Sequence, residues 1–150
     1  MTEALTKEKK PASWRAEAEV VVQFYDLDPM QVVWHGNYVR YLEVARCALL
    51  DQIGYNYDAM KLSGYAWPVI DLHLRYAGPA QFNQRLTVRA EIVEWESRLK
   101  INYAILDAQT GKRLTRASTT QVAVEIASGS MCFVSPPVLL EKLGLSGEFA

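Results

Sequence analysis

Apolar residues along the chain form one long segment with helical spacing, over residues 38–53. Its apolar positions recur every three or four residues, which places them on one face of a helix, and Gly54 follows as a C-terminal stop. Asn37 precedes the segment and is predicted to be its N-cap. Further apolar residues lie on the other faces, so we expect the rest of the fold to enclose this helix.

Strand-like segments, rich in β-branched and aromatic residues, lie on both sides of the helix. Residues 17–25 form the first and end at a turn of Asp and Pro residues. Four more follow the helix, over residues 67–76, 85–95, 98–106 and 114–126, and a turn or helix over residues 137–143 closes the chain. This order predicts an α+β domain in which one antiparallel sheet curls around one helix.

Length and composition fit one globular domain. The 150 residues are 50% hydrophobic and 22% charged, which is ordinary for a folded protein and excludes a disordered or collagenous chain. Residues 1–13 are small, charged and Pro-containing, and are predicted to be a flexible tail. Residues 14–150 are predicted to form the single domain.

Charge and cysteine content exclude several classes of function. The 16 basic and 17 acidic residues give a net charge of -1, so we expect no nucleic-acid partner. No apolar run is long enough for a membrane span or a signal peptide. Cys47 and Cys132 lie far apart without a CxxC spacing, so neither a disulfide framework nor a thiolate zinc site is indicated. We expect a cytoplasmic protein.

The segment before the helix, residues 24–38, carries the candidate chemistry. It places Asp26, Asp28 and His35 close to a helix start. A helix start presents unpaired N–H groups and a partial positive charge, which suit an oxygen on which negative charge develops. A nearby carboxylate could attack the carbon bearing that oxygen, or activate a water to do so. These parts would serve acyl transfer or hydrolysis.

Each part also has a plain structural interpretation. Asp-x-Asp-Pro is typical of a turn, His35 of a cap or core residue, and Trp34 of packing. A metal site is not indicated, because Asp26 and Asp28 have no third ligand at a known spacing, and His73 supplies none. Motifs for nucleotide phosphates and for a serine nucleophile are absent from the sequence, so no cofactor is expected.

Taken together, the segment resembles a family signature: that of the hot-dog-fold acyl-CoA thioesterases of the 4-hydroxybenzoyl-CoA thioesterase type. The matching residues are Asp28-Pro29-x-x-Val32-Val33-Trp34-His35-x-Asn37-Tyr38, continuing into Tyr41-x-Glu43-x-Ala45-Arg46. The resemblance implies a five- or six-stranded antiparallel sheet wrapped around one long central helix. It also implies a homodimer or homotetramer with the active site between subunits, and acyl-CoA, or an acyl carrier protein, as the donor of the acyl group.

The resemblance assigns expected roles to single residues. Asp28 matches the catalytic carboxylate, as nucleophile or general base, and Asp26 the accompanying acid. The backbone N–H of His35 matches the group that polarises the thioester carbonyl. Substrate-binding positions are expected near it, at Gln31, Trp34, Gly36, Asn37 and Tyr38, with Asn37 and Tyr38 positioning the helix start and lining the acyl pocket.

Two features leave alternatives open. Gln31 stands where the family usually has Gly; it either adopts a positive φ at a cost of about 1 kcal/mol or occupies space near the acyl group. Glu43, on the helix, is a second-choice catalytic carboxylate, since another branch of hot-dog thioesterases carries its acid there. Its plainer interpretation is an ion pair with Arg46 at i, i+3. A hot-dog hydratase or dehydratase, or a non-catalytic acyl-thioester binding or scaffold protein, also stays possible.

Overall fold

The computed structural model describes residues 11–145, which form a five-stranded antiparallel sheet around one long helix. The sheet order is β1-β4-β5-β6-β3, and a two-stranded sheet pairs β2 with β7. The strands are β1 Arg15–Val21, β2 Tyr65–Ala66, β3 Val69–Tyr76, β4 Arg85–Glu94, β5 Leu99–Asp107, β6 Arg113–Gln121 and β7 Val124–Glu125. The predicted α+β hot-dog architecture is confirmed.

The central helix, α1 (Tyr38–Gln52), is enclosed as its composition predicts. It packs chiefly against β1 and β4 and buries apolar residues along its length, including Leu42, Ala45 and Leu49. It ends one residue before the predicted boundary, and Gly54 follows with φ 74°, a conformation that glycine adopts without strain.

Strand β4 shows why the sheet forms around this helix. Its residues Leu86, Val88, Ala90 and Ile92 alternate with exposed or half-buried ones and are fully buried. Successive side chains of a strand point to opposite faces, so this alternation turns one face toward the helix and the other toward solvent. The predicted strands 85–95 and 98–106 are therefore confirmed to within one residue at each end.

Three predicted boundaries are wrong. The strand over residues 17–25 ends at Val21, because a capping box, in which the Gln23 N–H donates to the Asp26 carboxylate at 2.9 Å, winds Phe24–Asp26 into a 3-10 turn. The strand over 67–76 begins at Val69, one residue after Pro68, which has no N–H for a ladder. The strand over 114–126 divides into β6 and β7, which pair with different neighbours.

A helix that the sequence pattern did not indicate follows α1. This is α2 (Tyr57–Leu62), whose N-cap residue Asn56 accepts a hydrogen bond from the Ala59 N–H at 2.9 Å. Its six residues are too short for a readable apolar period.

The ends of the described chain are anchored to the domain. Trp14 is buried in a 3-10 turn, Ala12–Trp14, and the Gln52 side chain donates to carbonyls at that turn. The predicted flexible tail lies mostly outside the described residues. The C-terminal helix, α3 (Pro137–Lys142), is confirmed. Within residues 11–145, none of the helices has the length and apolar character to cross a membrane.

Candidate active site

A tight hairpin before α1 carries Asp28. The Asp28 N–H donates to Val32 O at 2.9 Å, and the Gln31 N–H donates to Asp28 O at 3.0 Å. Gln31 has φ 70°, so the hairpin is a turn closed by a left-handed residue, the position that glycine usually fills. Of the two readings of Gln31, the positive φ is therefore the one found, and its side chain is exposed.

The Asp28 carboxylate is held through one oxygen only. Its Oδ1 accepts the Met30 N–H at 2.8 Å, an Asx turn that fixes the side chain against its own backbone. No residue in the described chain donates to Oδ2. The side chain is half-buried, so this oxygen is positioned and still able to meet a substrate or water.

Asp26 is engaged by the protein on both oxygens. It is buried, and its Oδ2 accepts the Gln23 N–H and the Tyr41 hydroxyl, each at 2.9 Å. Its Oδ1 lies 3.8 Å from the Arg40 guanidinium. Burial and the bond to Asp26 raise the pKa of Tyr41, which therefore stays a neutral donor. Asp26 thus links the hairpin to α1.

The start of α1 presents unpaired N–H groups. A 3-10 turn, His35–Asn37, precedes the helix, and the Trp34 N–H donates to Asp26 O at 2.9 Å. Within residues 11–145, nothing accepts a hydrogen bond from the His35 N–H. Asn37 occupies the predicted N-cap position of the helix, but its side chain does not cap the helix. Instead it donates to Asp26 O at 2.8 Å.

Trp34 lies over Gly36, where a side chain would displace the indole. A Cβ on Gly36 would stand 2.4 Å from the Trp34 indole, closer than atoms can approach. The indole also lies against the His35 ring, with centroids 5.1 Å apart. Trp34 is 48% exposed, so it forms part of the surface beside the helix start.

Two tyrosines pack against each other beside the helix start. Tyr38 is buried, its hydroxyl accepts the Ala80 N–H at 3.2 Å, and its ring packs on Tyr76 at 5.0 Å. Burial is the main cause that raises the pKa of Tyr38, and the charge of Asp28 adds a smaller rise. The Tyr76 hydroxyl donates to His35 O at 2.6 Å. The two tyrosines therefore support the start of α1, to which the segment carrying Asp28 is joined by the hydrogen bond from the Trp34 N–H to Asp26 O.

The sequence pattern indicates no role for Tyr76 and includes Tyr41 only as part of the family signature. Each lies inside a predicted element, Tyr76 at the end of β3 and Tyr41 on the helix, where an aromatic residue is typical of packing. Their hydroxyls, which bind a backbone carbonyl and a carboxylate far along the chain, give no signal in local sequence.

Apolar side chains are exposed around the hairpin. Phe24 and Phe82 meet edge to face with centroids 6.0 Å apart, although both are largely exposed, and Met30 is 79% exposed. Exposed apolar groups that are close together mark a surface that something covers. In a single chain this rim is open.

Glu43, the second-choice carboxylate, is paired with Arg46 at i, i+3, as the plainer interpretation expects. Its other oxygen accepts the Tyr57 hydroxyl at 3.3 Å. Burial raises the pKa of the neighbouring Cys47 thiol, and the Glu43 charge adds to it, which keeps this thiol protonated. Both Glu43 oxygens are therefore occupied within the protein.

Residues 11–145 contain no cluster of three or more His, Cys, Asp or Glu side chains with the geometry of a metal site. The two cysteines in this part of the chain are unpaired.

Comparison with known proteins assigns the family. Residues 22–143 match the model of the Thioesterase-like superfamily. A candidate esterase of Synechocystis is 33% identical over 85% of this chain and 77% of its own. YneP of Bacillus subtilis, a candidate acyl-CoA thioesterase, is 24% identical over 73% of this chain and 80% of its own. The solved structure of a 1,4-dihydroxy-2-naphthoyl-CoA thioesterase from Synechocystis superposes on this protein with a TM-score of 0.77 and 20% sequence identity. The superposition covers 87% of this chain and 96% of that chain, and it supports the fold.

The chain therefore belongs to the Thioesterase-like superfamily, and the predicted resemblance to hot-dog thioesterases is confirmed. In class it is a thioester hydrolase.

Proposed function

We propose that this protein hydrolyses acyl-CoA thioesters to a free acid and CoA, using Asp28 and the His35 N–H. The observation that carries the proposal is the contrast among the three candidate carboxylates. Asp28 keeps one oxygen free in the hairpin that precedes a helix start, whereas both oxygens of Asp26 and of Glu43 take part in hydrogen bonds or ion pairs within the protein. YneP, a sequence relative, bears the name of an acyl-CoA thioesterase, which supports the substrate class.

In the proposed reaction, the thioester carbonyl oxygen accepts a hydrogen bond from the His35 N–H. Asp28 removes a proton from a water that attacks the carbonyl carbon, or attacks that carbon itself and is then released by water. The carbon–sulfur bond breaks, and the thiolate leaves with a proton. An oxyanion donor of this kind is worth about 3 to 4 kcal/mol in the transition state.

Residues around the hairpin would bind the acyl group. Gln31 and Trp34 line the exposed surface beside Asp28, and Gly36 leaves room for the indole. Asn37 holds the hairpin carbonyl, and Tyr38 supports the helix start from inside the core. Acyl-CoA or an acyl carrier protein would deliver the acyl group.

The protein would act as a homodimer or homotetramer in the cytoplasm. Strand β3 is an edge of the sheet, and it exposes Val69, Ile70 and Leu72. An exposed apolar edge strand is a template for pairing with another chain. A second copy there would also supply a wall for the open rim around Asp28.

The decisive experiment compares Asp28→Asn with Glu43→Gln, and measures thiol release from a panel of acyl-CoA substrates. Asp28→Asn should lower kcat by about 10²- to 10⁴-fold, as loss of a general base does, and leave the circular dichroism spectrum unchanged. Glu43→Gln serves as the matched control and should retain most of kcat. The reverse ranking would move the catalytic acid to α1.

The same assay distinguishes hydrolysis from the two alternative functions. A hydratase or dehydratase would change the acyl group without releasing thiol. A scaffold protein would bind acyl-CoA, again without release. Either result would contradict hydrolysis.

A further inference from the structure

A concavity of about 590 Å³ lies on the face of the sheet that points away from α1, where β5, β6 and β3 run side by side. The polar side chains that line it are cationic or neutral: Arg75, Arg113, Arg116, His73, Asn102 and Ser118. No Asp or Glu belongs to this lining.

The strand register places two of these arginines in direct opposition. Arg75 on β3 is the Cα partner of Arg116 on β6, and Ala104 on β5 is the partner of Arg116 on the other side. Like charges directly opposite each other destabilise an antiparallel pair. The small Ala104 side chain leaves a depression beside them. An anion held between the two guanidinium groups would offset this repulsion, because each can donate charge-assisted hydrogen bonds to it.

Two arginines at the β1–β4 side of the sheet, Arg85 and Arg89, have acidic partners. Arg85 lies 3.7 Å from Glu19, and Arg89 lies 2.5 Å from Glu17. In the described part of the chain, Arg75, Arg113 and Arg116 form no ion pair. The acid near them, Asp71, lies 3.8 Å from His73. The three arginines thus present uncompensated positive charge, although the whole chain has a net charge of -1.

We infer that Arg75, Arg113 and Arg116 bind the phosphate groups at the nucleotide end of the CoA thioester, an inference that rests on the proposed function. Guanidinium groups match phosphate oxygens with paired hydrogen bonds, and several in one depression suit a nucleotide with more than one phosphate. The Ser118 hydroxyl and the Asn102 amide, which face each other in the next row, add neutral hydrogen-bonding groups.

The position of the cluster allows one molecule to reach both sites. Arg75 and Tyr76 are the last residues of β3, and Arg113 is the first of β6, so the cluster lies at one end of these strands. Tyr76 points to the opposite face, where its hydroxyl binds His35 O at 2.6 Å. The extended arm that joins the nucleotide to the thioester would pass around this strand end.

The kinetic test compares two double variants that remove the same amount of charge. The test variant combines Arg75→Gln and Arg116→Gln, and the control variant combines Arg85→Gln and Arg89→Gln. The test variant should raise KM for an acyl-CoA about tenfold, with kcat unchanged, because charge-assisted hydrogen bonds to phosphate are lost. The control should retain the wild-type KM. With the N-acetylcysteamine thioester of the same acyl group, which has no nucleotide, the test variant should equal wild type. An equal rise in KM for both substrates, or an equal effect of the control variant, would overturn the assignment.

A binding test measures the affinity of the arginine cluster for a nucleotide without any turnover. Titration calorimetry with adenosine 3′,5′-bisphosphate should show binding to the wild-type protein and at least tenfold weaker binding to the Arg75, Arg116 double variant. If no thioester releases thiol, hydrolysis fails, while this titration still decides whether the arginines hold a nucleotide. Absence of binding to the wild type would overturn the inference, as would a KM effect confined to acyl carrier protein substrates.

Discussion

At the scale of single residues, Gln31 shows how a side chain can be tolerated in a place that favours glycine. Its φ of 70° lies in the left-handed region, which costs about 1 to 2 kcal/mol for a residue with a Cβ. The hairpin bonds around it, from the Asp28 N–H and to Asp28 O, hold it there. The strain therefore sits in the same turn that positions the candidate carboxylate.

Replacing Gln31 by Gly should relieve this strain. We expect Gln31→Gly to raise the free energy of unfolding by about 0.5 to 1 kcal/mol. The substitution removes the backbone strain, and part of this gain is lost because glycine has more conformational freedom in the unfolded chain. Urea unfolding at constant m-value measures the change. Asn83→Gly is the matched control: Asn83 also has a positive φ, 67°, but Asn tolerates it, so its gain should be smaller. A loss of stability in Gln31→Gly would contradict the account.

Asp26 and Asp28 mark a limit of sequence reasoning at this scale. Two Asp residues in one turn motif are equivalent as letters, and only the resemblance to a family separated them. What distinguishes them is that the Tyr41 hydroxyl, fifteen positions along the chain, and the Gln23 N–H both bind Asp26. A long-range bond of this kind has no periodic signal in the sequence.

At the scale of elements, the start of α1 is the feature on which the proposed function depends. The 3-10 turn His35–Asn37 precedes the helix, so the free N–H groups belong to His35 and Gly36 rather than to the helix proper. Residue 35 is the first position of this turn, where a missing N–H costs no internal hydrogen bond.

A proline at position 35 should help to distinguish the role of the backbone N–H from that of the imidazole. Trp34 already has φ -60° and ψ 134°, the conformation that a residue before proline adopts, so His35→Pro is expected to fold. It should lower kcat by about 10²- to 10³-fold, as loss of one oxyanion donor does. Thiol release measures this.

The control is His35→Ala, which keeps the N–H and should retain most of kcat. Equal losses in both variants would assign the role to the imidazole ring.

The elements that the sequence predicted well are those that the core dictates. The apolar spacing of α1 and the alternation of β4 both follow from burial, and the structure reproduces them. The errors lie where local hydrogen bonds prevail over a β-rich composition, as at the Phe24–Asp26 turn, or where an element is too short for a period, as in α2. The Asn56 cap was a readable signal for α2.

At the scale of the whole molecule, the edge strand β3 has an exposed apolar surface without a partner in the described chain. Ile70 is 57% exposed and Leu72 is 40% exposed. Because the rim around Asp28 is also open, one association could cover the edge and complete the acyl site.

Charged residues on this edge should dissociate the proposed oligomer. Ile70→Lys with Leu72→Lys removes about 1.5 to 3 kcal/mol of apolar burial per edge, since about half of each side chain is exposed, and the loss at two edges raises the dimer Kd by 100-fold or more. Size-exclusion chromatography with light scattering should then show a 17.0 kDa monomer with reduced activity.

Leu62→Lys, at an 89% exposed position on α2, is the control and should leave the oligomer intact. A wild-type protein that already elutes as a monomer would contradict the proposal.

The placement of Trp34 gives the molecule an optical reporter of its own. Trp14 and Trp67 are buried and Trp95 is half-buried, whereas Trp34 is open to water beside the candidate carbonyl site. Its red-shifted emission can therefore be quenched selectively by acrylamide. An acyl group bound at the helix start would shield the Trp34 indole from acrylamide. Occupancy of the candidate site can therefore be followed by tryptophan fluorescence without a label.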